Sequence, residues 1–248
     1  MINFGAGVLI ATRSDISGQS PEPFGVLQGV DLAFDFTEKQ LMGALQHPIM
    51  IARAEAKFTA KAKAASINGR LLNNIFFGMS LATGSTQLAA NEAATVPATS
   101  PYVVTPANSA TWTKDEGVSY SGPLGVPFTV SSGAPGAAGV YEASASAYTF
   151  SSSDASKQVV LNYLYTLTTG ESIAITNQAL GTTPTFAGVF RNRDPNTGLF
   201  LTFAFNKATS SKLSLSSKLS DFSIPEFDIS FMDDGTGNIG TLSWGDAA

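Results

Sequence analysis

The stretch IARAEAKFTAKAKA, Ile51 to Ala64, alternates with a period of two. Ala52, Ala54, Ala56, Phe58, Ala60 and Ala62 fall on one face, and Arg53, Glu55, Lys57, Thr59, Lys61 and Lys63 on the other. Successive side chains of a strand point to opposite sides, so this spacing predicts one extended segment of roughly 45 Å at about 3.3 Å per residue. Globular strands average about five or six residues. A strand this long overhangs the core that a domain of this size can offer, which points to neighbouring subunits. Its charged face, Arg53 to Lys63, is the candidate intersubunit surface; the alternative is Lys guarding a free edge against aggregation.

The flanking segments build a hairpin around it. VDLAFDF, Val30 to Phe36, places Val30, Leu32, Phe34 and Phe36 on one face and Asp31, Ala33 and Asp35 on the other, the pattern of a half-buried strand. Thr37 is expected to cap a short helical turn through Leu41 and Met42, and a loop closed by Pro48 leads back into the long strand. The connection Glu38 to Met50 carries Leu41, Met42, Leu45 and Ile49 and is more apolar than a free surface loop. After the long strand, Ser66 is expected to cap one helix whose apolar stripe is Ile67, Leu71, Leu72, Ile75, Phe76 and Met79, with Gly78 as its C-cap.

From Thr83 to Ala110 the chain is rich in Ala, Thr, Ser and Pro and carries one charge, Glu92. It reads as a loop with one strand at Tyr102 to Val104. Strand-length pieces follow up to Ile239–Trp244, separated by Gly, Pro, Asn and Asp. The expected fold is mainly β: a β-sandwich or barrel with one flanking α-helix, built as a single domain over 1–248.

Composition bounds the function. Of 248 residues, 44% are apolar, enough for a proper core, and only 13% are charged. A net charge of −5 argues against gripping nucleic acid through its phosphates. With no cysteine, disulfides, thiolate metal sites and a Cys nucleophile are ruled out. No basic region precedes an apolar run at the N-terminus, and no segment approaches eighteen continuous apolar residues, so neither a standard secretion signal nor a membrane span is expected.

No motif supports enzyme chemistry, and no cofactor is expected. His47 is the sole histidine, which leaves it without a metal-binding partner of its kind, and no G-x-S-x-G elbow accompanies it. DDGTGN, Asp233 to Asn238, lacks the alternating acids and terminal Glu of a calcium loop and reads as a hairpin turn. GAPGAAG, Gly133 to Gly139, lacks the Lys-Ser/Thr of a phosphate loop. Glycosidase carboxylates could come from any pair of the nineteen acids. Trp112 and Trp244 are open to a sugar-stacking role on a carbohydrate-binding or adhesion sandwich.

The order of features resembles the tail tube (major tail) proteins of tailed bacteriophages: the G-V-D-L-A-F-D-F strand, E-K-Q-L-M-G, the long A-E-A-K-F-T-A-K-A-K-A strand, and a helix ending in I-F-F-G. YEASASAYTFSSSDASKQVVLNYLYT, Tyr141 to Thr166, is similar to a recurrent phage virion pattern, and Lys218 to Trp244 is similar to the closing hairpin of these proteins. The stretch Thr83 to Ala110 matches least and is a possible decoration loop.

The resemblance implies a non-enzymatic virion protein. Hairpins from six subunits would close into one β-barrel, and the rings would stack into a tube through which DNA passes only in transit. The partners implied are further copies of the chain and other tail proteins, such as the tape measure, the terminator and the tip or baseplate, with no membrane. The implied location is the virion tail, after assembly in the host cytoplasm. Asp31 and Asp35 are lumen candidates, because a positive lining would hold phosphates; the alternative is a solvated outer strand face. Leu41, Met42 and Leu45 are the ring-stacking candidates. Another ring-forming virion component or a secretion-system tube remains open.

Overall fold

Ala60, Ala62 and Ala64 are buried while Lys61 and Lys63 are exposed, so the alternation of the long segment is that of a strand with one face on the core. The computed structural model describes residues 7–66, 68–122, 125–144, 146–217, 219–220 and 222–245. Its strands are β1 (Val8–Arg13), β2 (Glu22–Pro23), β3 (Leu27–Met42), β4 (Pro48–Ala64), β5 (Leu81–Thr95), β6 (Val103–Val104), β7 (Trp112–Tyr120), β8 (Thr129–Val130), β9 (Val140–Ser144), β10 (Ala147–Phe150), β11 (Gln158–Ile173), β12 (Phe186–Arg193), β13 (Phe200–Ser214), β14 (Glu226–Phe231) and β15 (Gly240–Gly245). Apart from two short 3-10 turns, the helical content is α1 (Gly69–Leu72), which runs on as a π-helix over Asn73–Phe77. The chain is mainly β with one flanking helix, as its sequence predicts.

Where the sequence reads as one domain, the chain gathers into two compact units: Met1–Leu81 with Ile173–Ala248, and Ala82–Ser172. Each unit has its own apolar cluster. The first is dominated by phenylalanine, the second by tyrosine.

In the first unit one sheet runs β2-β1-β12-β13-β14-β4-β3, with β15 also paired to β13. Phe24, Phe186, Phe203, Phe205, Phe227 and Ile229 fill its core together with Leu71 and Ile75 from the helix. Asn68, not Ser66, caps that helix by accepting from Leu71 N at 2.7 Å; Ile67 lies outside the described residues. The segment is shorter than its apolar stripe suggests because Asn73 ties it off: its amide donates to Met79 O at 2.6 Å and accepts from Met79 N at 3.0 Å. Gly78 ends it in the left-handed conformation, φ 62°, as expected of a C-cap.

The expected closing hairpin is replaced by a tandem arrangement. Ala208 to Ser214 of β13 pair with β14, and Phe200 to Phe205 pair with β15, both antiparallel. Because β12 occupies the other edge of β13, β14 and β15 follow one another along a single edge. Residues 232–239 loop out between them. DDGTGN closes this excursion instead of reversing the chain: Asp234 N donates to Asn238 O at 3.0 Å, and Asn206 Nδ2 donates to Asp234 Oδ2 at 2.8 Å. Lys218 and Asp221, at the start of the predicted hairpin, lie outside the described residues.

The second unit has sheets β6-β10-β9-β8 and β5-β11-β7. All six tyrosines of the chain fall within it, and carboxylates hold several of them. Asp154 accepts from Tyr120 OH at 2.5 Å, Asp115 from Tyr141 and Tyr148, and Glu92 from Tyr163 OH at 2.5 Å. Burial first, then the neighbouring carboxylate, pushes the Tyr120 phenol up to about 12. Tyr141 is raised further for the same reasons. The loop expected from Thr83 is strand β5 as far as Thr95. Its alanines, with Gly84, Asn91 and Glu92, are residue types depleted in strands, and they mask the signal of its threonines. Its pairing with β11 supplies the order, with Ser85 Oγ donating to Thr169 O at 3.1 Å and Asn91 N to Asn162 Oδ1 at 2.8 Å.

Candidate assembly interface

The hairpin β3–β4 is longer than its sequence suggests. Thr37 does not cap a helical turn: its hydroxyl accepts from Glu55 N at 2.9 Å, and β3 continues as a strand to Met42. The connection between the strands is therefore only residues 43–47, with His47 exposed in it. β14 covers β4 only between Thr59 and Lys63, and among the described residues no strand covers the outer edge of β3. Beyond Phe58 the pair stands as a two-stranded ribbon extending roughly 33 Å for about ten residues of β4. Such a ribbon alone is marginal in water, and its edges present unpaired backbone donors and acceptors.

A bulge divides the ribbon. Phe36 pairs with Ala56 but Glu38 pairs with Arg53, so β4 spends one extra residue opposite Thr37. One extra residue reverses the face of everything beyond it. Arg53 therefore does not share a face with Lys57, Thr59, Lys61 and Lys63, as strict alternation predicts. Its guanidinium instead lies 4.4 Å from the ring centre of Phe36 on the apolar side. Glu55 sits in the bulge itself. Thr59 is not in the overhang either, since it pairs with Ala33 on one side and Ser230 on the other.

Cross-strand register brings the lumen and intersubunit candidates onto one face. Asp31 lies opposite Lys61 and Asp35 opposite Lys57. The row beginning at Asp31 continues through Lys61 and Asp228 to Lys212, alternating in sign across four strands. Lys63 pairs with Glu226 at 3.0 Å, and this contact holds the Glu226 carboxyl below the usual range. Asp228, Glu226 and Lys212 are additions: the alternation EFDISF signals the first two, and Lys212 joins them only through the pairing of β13 with β14. The face is charged but balanced.

The ring-stacking candidates Leu41, Met42 and Leu45 are exposed at the ribbon's tip, Leu45 at 83%. Ile49, Met50 and Ile51 are exposed beside them. Register puts Leu41 with Met50 on one face and Gln40 with Ile51 on the other, so the tip is apolar on both sides. At the ribbon's foot, Phe34, Phe36, Phe58, Phe203 and Leu242 line an apolar groove of about 240 Å³. Phe34 and Phe58 stack there with ring centres 3.8 Å apart.

The tryptophans differ. Trp112 donates to Tyr148 OH at 3.2 Å at the margin of the second unit's core, whereas Trp244 on β15 is exposed. Among the described residues no three His, Cys, Asp or Glu side chains group as metal ligands, and no helix is long and apolar enough to cross a membrane. A scan against protein-family models finds no match, and neither does a search of curated proteins.

Proposed function

We propose that the protein is a structural subunit that assembles into rings and stacks them into a tube of the phage-tail type, a conduit for DNA. The observation that carries this reading is the β3–β4 ribbon, whose uncovered edges and two-sided apolar tip reach beyond their own core. Closing such ribbons from several copies into a barrel removes every edge at once. Head-to-tail contacts whose rotation closes produce rings. Asp35 and Lys57 would then sit on one wall of that barrel, continuous with Asp31, Thr59 and Lys61 on the same face of the sheet behind it, and a wall of balanced sign holds phosphates only weakly. The sequence resemblance to tail tube proteins supplies the sixfold number and the tail partners. No step of the function requires catalysis.

Electron microscopy of negatively stained, concentrated protein tests the reading: rings or tubes are expected. Dispersed monomers at every concentration would overturn it. The rival is a carbohydrate-binding sandwich, favoured by exposed Trp244; monomers retained on a sugar column, with retention lost in Trp244→Ala, would establish that instead.

A further inference from the structure

On β12, Phe190 points into the core while Arg191 and Arg193 point outward. The Arg191 guanidinium lies 3.6 Å from the ring centre of Phe200 and that of Arg193 5.7 Å. Stacking holds a guanidinium plane in place and leaves its N–H edge free for a bidentate carboxylate. Arg13, Lys63, Arg70 and Lys114 all have acidic partners. Among the described residues, Arg191 and Arg193 have none. In a chain of net charge −5, two adjacent uncompensated cations form a distinct patch, with Val8, itself exposed, opposite Arg191.

The 232–239 loop offers the matching charge. Asp233 accepts from Gly235 N at 2.5 Å and Gly237 N at 3.1 Å, and Asp234 accepts from Asn206 and from Thr236 Oγ1 at 2.6 Å. These bonds fix the loop, and the Thr236 hydroxyl and amide lead in holding Asp234 down to about 2. Neither carboxylate forms an ion pair among the described residues. Asn206, which anchors the loop, projects from the same side of β13 as Phe200, six residues along the strand and roughly 20 Å away. The patches therefore do not neutralise one another within a chain, but two chains can satisfy both. Opposite patches on one surface suit contact between copies.

We propose that the Arg191–Phe200–Arg193 surface binds the Asp233–Asp234 loop of a second copy of this chain. This rests on the self-assembly part of the tail-tube reading and is independent of the hairpin. The test is sedimentation equilibrium at 50 and 500 mM NaCl. It compares the parent with Arg191→Glu/Arg193→Glu, Asp233→Lys/Asp234→Lys, the fourfold variant, and an equimolar mixture of the two double variants. Circular dichroism confirms folding, and Arg191→Gln/Arg193→Gln replaces the first variant if it does not fold.

Parent association should weaken with salt, and each double variant should associate at least tenfold more weakly. The fourfold variant and the mixture should regain most of the loss. Double variants that associate like the parent, or a mixture that regains nothing, would overturn the proposal. If that happens while Leu41→Ser/Met42→Ser still abolishes assembly, the tube reading stands and only this contact falls. A parent that stays monomeric at both salt concentrations defeats both.

Discussion

Replacing Leu41 and Met42 together with Ser separates the ribbon's role in assembly from any role in folding. Leu41 is 60% and Met42 54% exposed, so somewhat under half of each side chain is covered within its own chain. Full burial of such a side chain is worth about 1.5–3 kcal/mol. The part already covered is then worth about 1 kcal/mol in each case, or about 2 kcal/mol together. For a unit of this size that is a drop of about 4 to 8 °C in melting temperature. In the proposed assembly the exposed remainder meets a neighbouring copy, where it would be worth about 1–2 kcal/mol per side chain. Losing both should weaken each contact roughly 30- to 700-fold. Sedimentation velocity reads the assembly and calorimetry the folding. Intact tubes would refute the reasoning from one side; a fall of more than about 15 °C would place the two side chains in the monomer's core and refute it from the other.

Other substitutions probe the core and the sheet. Phe227→Ala empties a fully buried site where Phe24 and Phe76 meet, and urea unfolding should record a loss of about 3–5 kcal/mol. Thr59→Pro removes a donor from inside the sheet and should impair folding, whereas Ile51→Pro, in the uncovered ribbon, should spare the melting temperature and reduce assembly; equal effects on both would contradict the boundary at Phe58. The tyrosine unit should be alkali-sensitive. A phenol whose folded pKa lies above its ordinary value of 10.0 stabilises fully below that pH, and the contribution is lost as pH rises through the folded value, about 12 for Tyr120. Tyrosinate absorbance should therefore appear above pH 10, late and together with unfolding of this unit; simple titration near pH 10 without unfolding would count against the buried hydrogen bonds.

The long strand was legible because Ala60, Ala62 and Ala64 alternate with lysines, and burial follows that pattern. The bulge was not. Nothing in RAEA marks an extra residue, and its stabiliser, the Thr37 hydroxyl, lies eighteen positions away. EKQLM lacks alternation, so its strand character is visible only beside β4. β5 was hidden for a related reason: LATGSTQLAANEAAT is small and polar, and its order is imposed by β11. The charged row across β3, β4, β14 and β13 needed the register of three pairings, which no single segment contains. The clearest missed signal was compositional, since the confinement of every tyrosine to the stretch from Tyr102 to Tyr165 already separates two cores.

Strands β5 and β11 carry a consequence for how such a gene can change. They enter and leave the tyrosine-rich unit as hydrogen-bonded neighbours, Ser85 beside Thr169. The two ends of the insertion are thus about one strand spacing, 4.8 Å, apart, a gap that a two-residue turn spans. The intervening module is a cassette. Recombination that exchanged it for another sequence with similarly close ends would leave the chain of the phenylalanine-rich unit joined at the same two points.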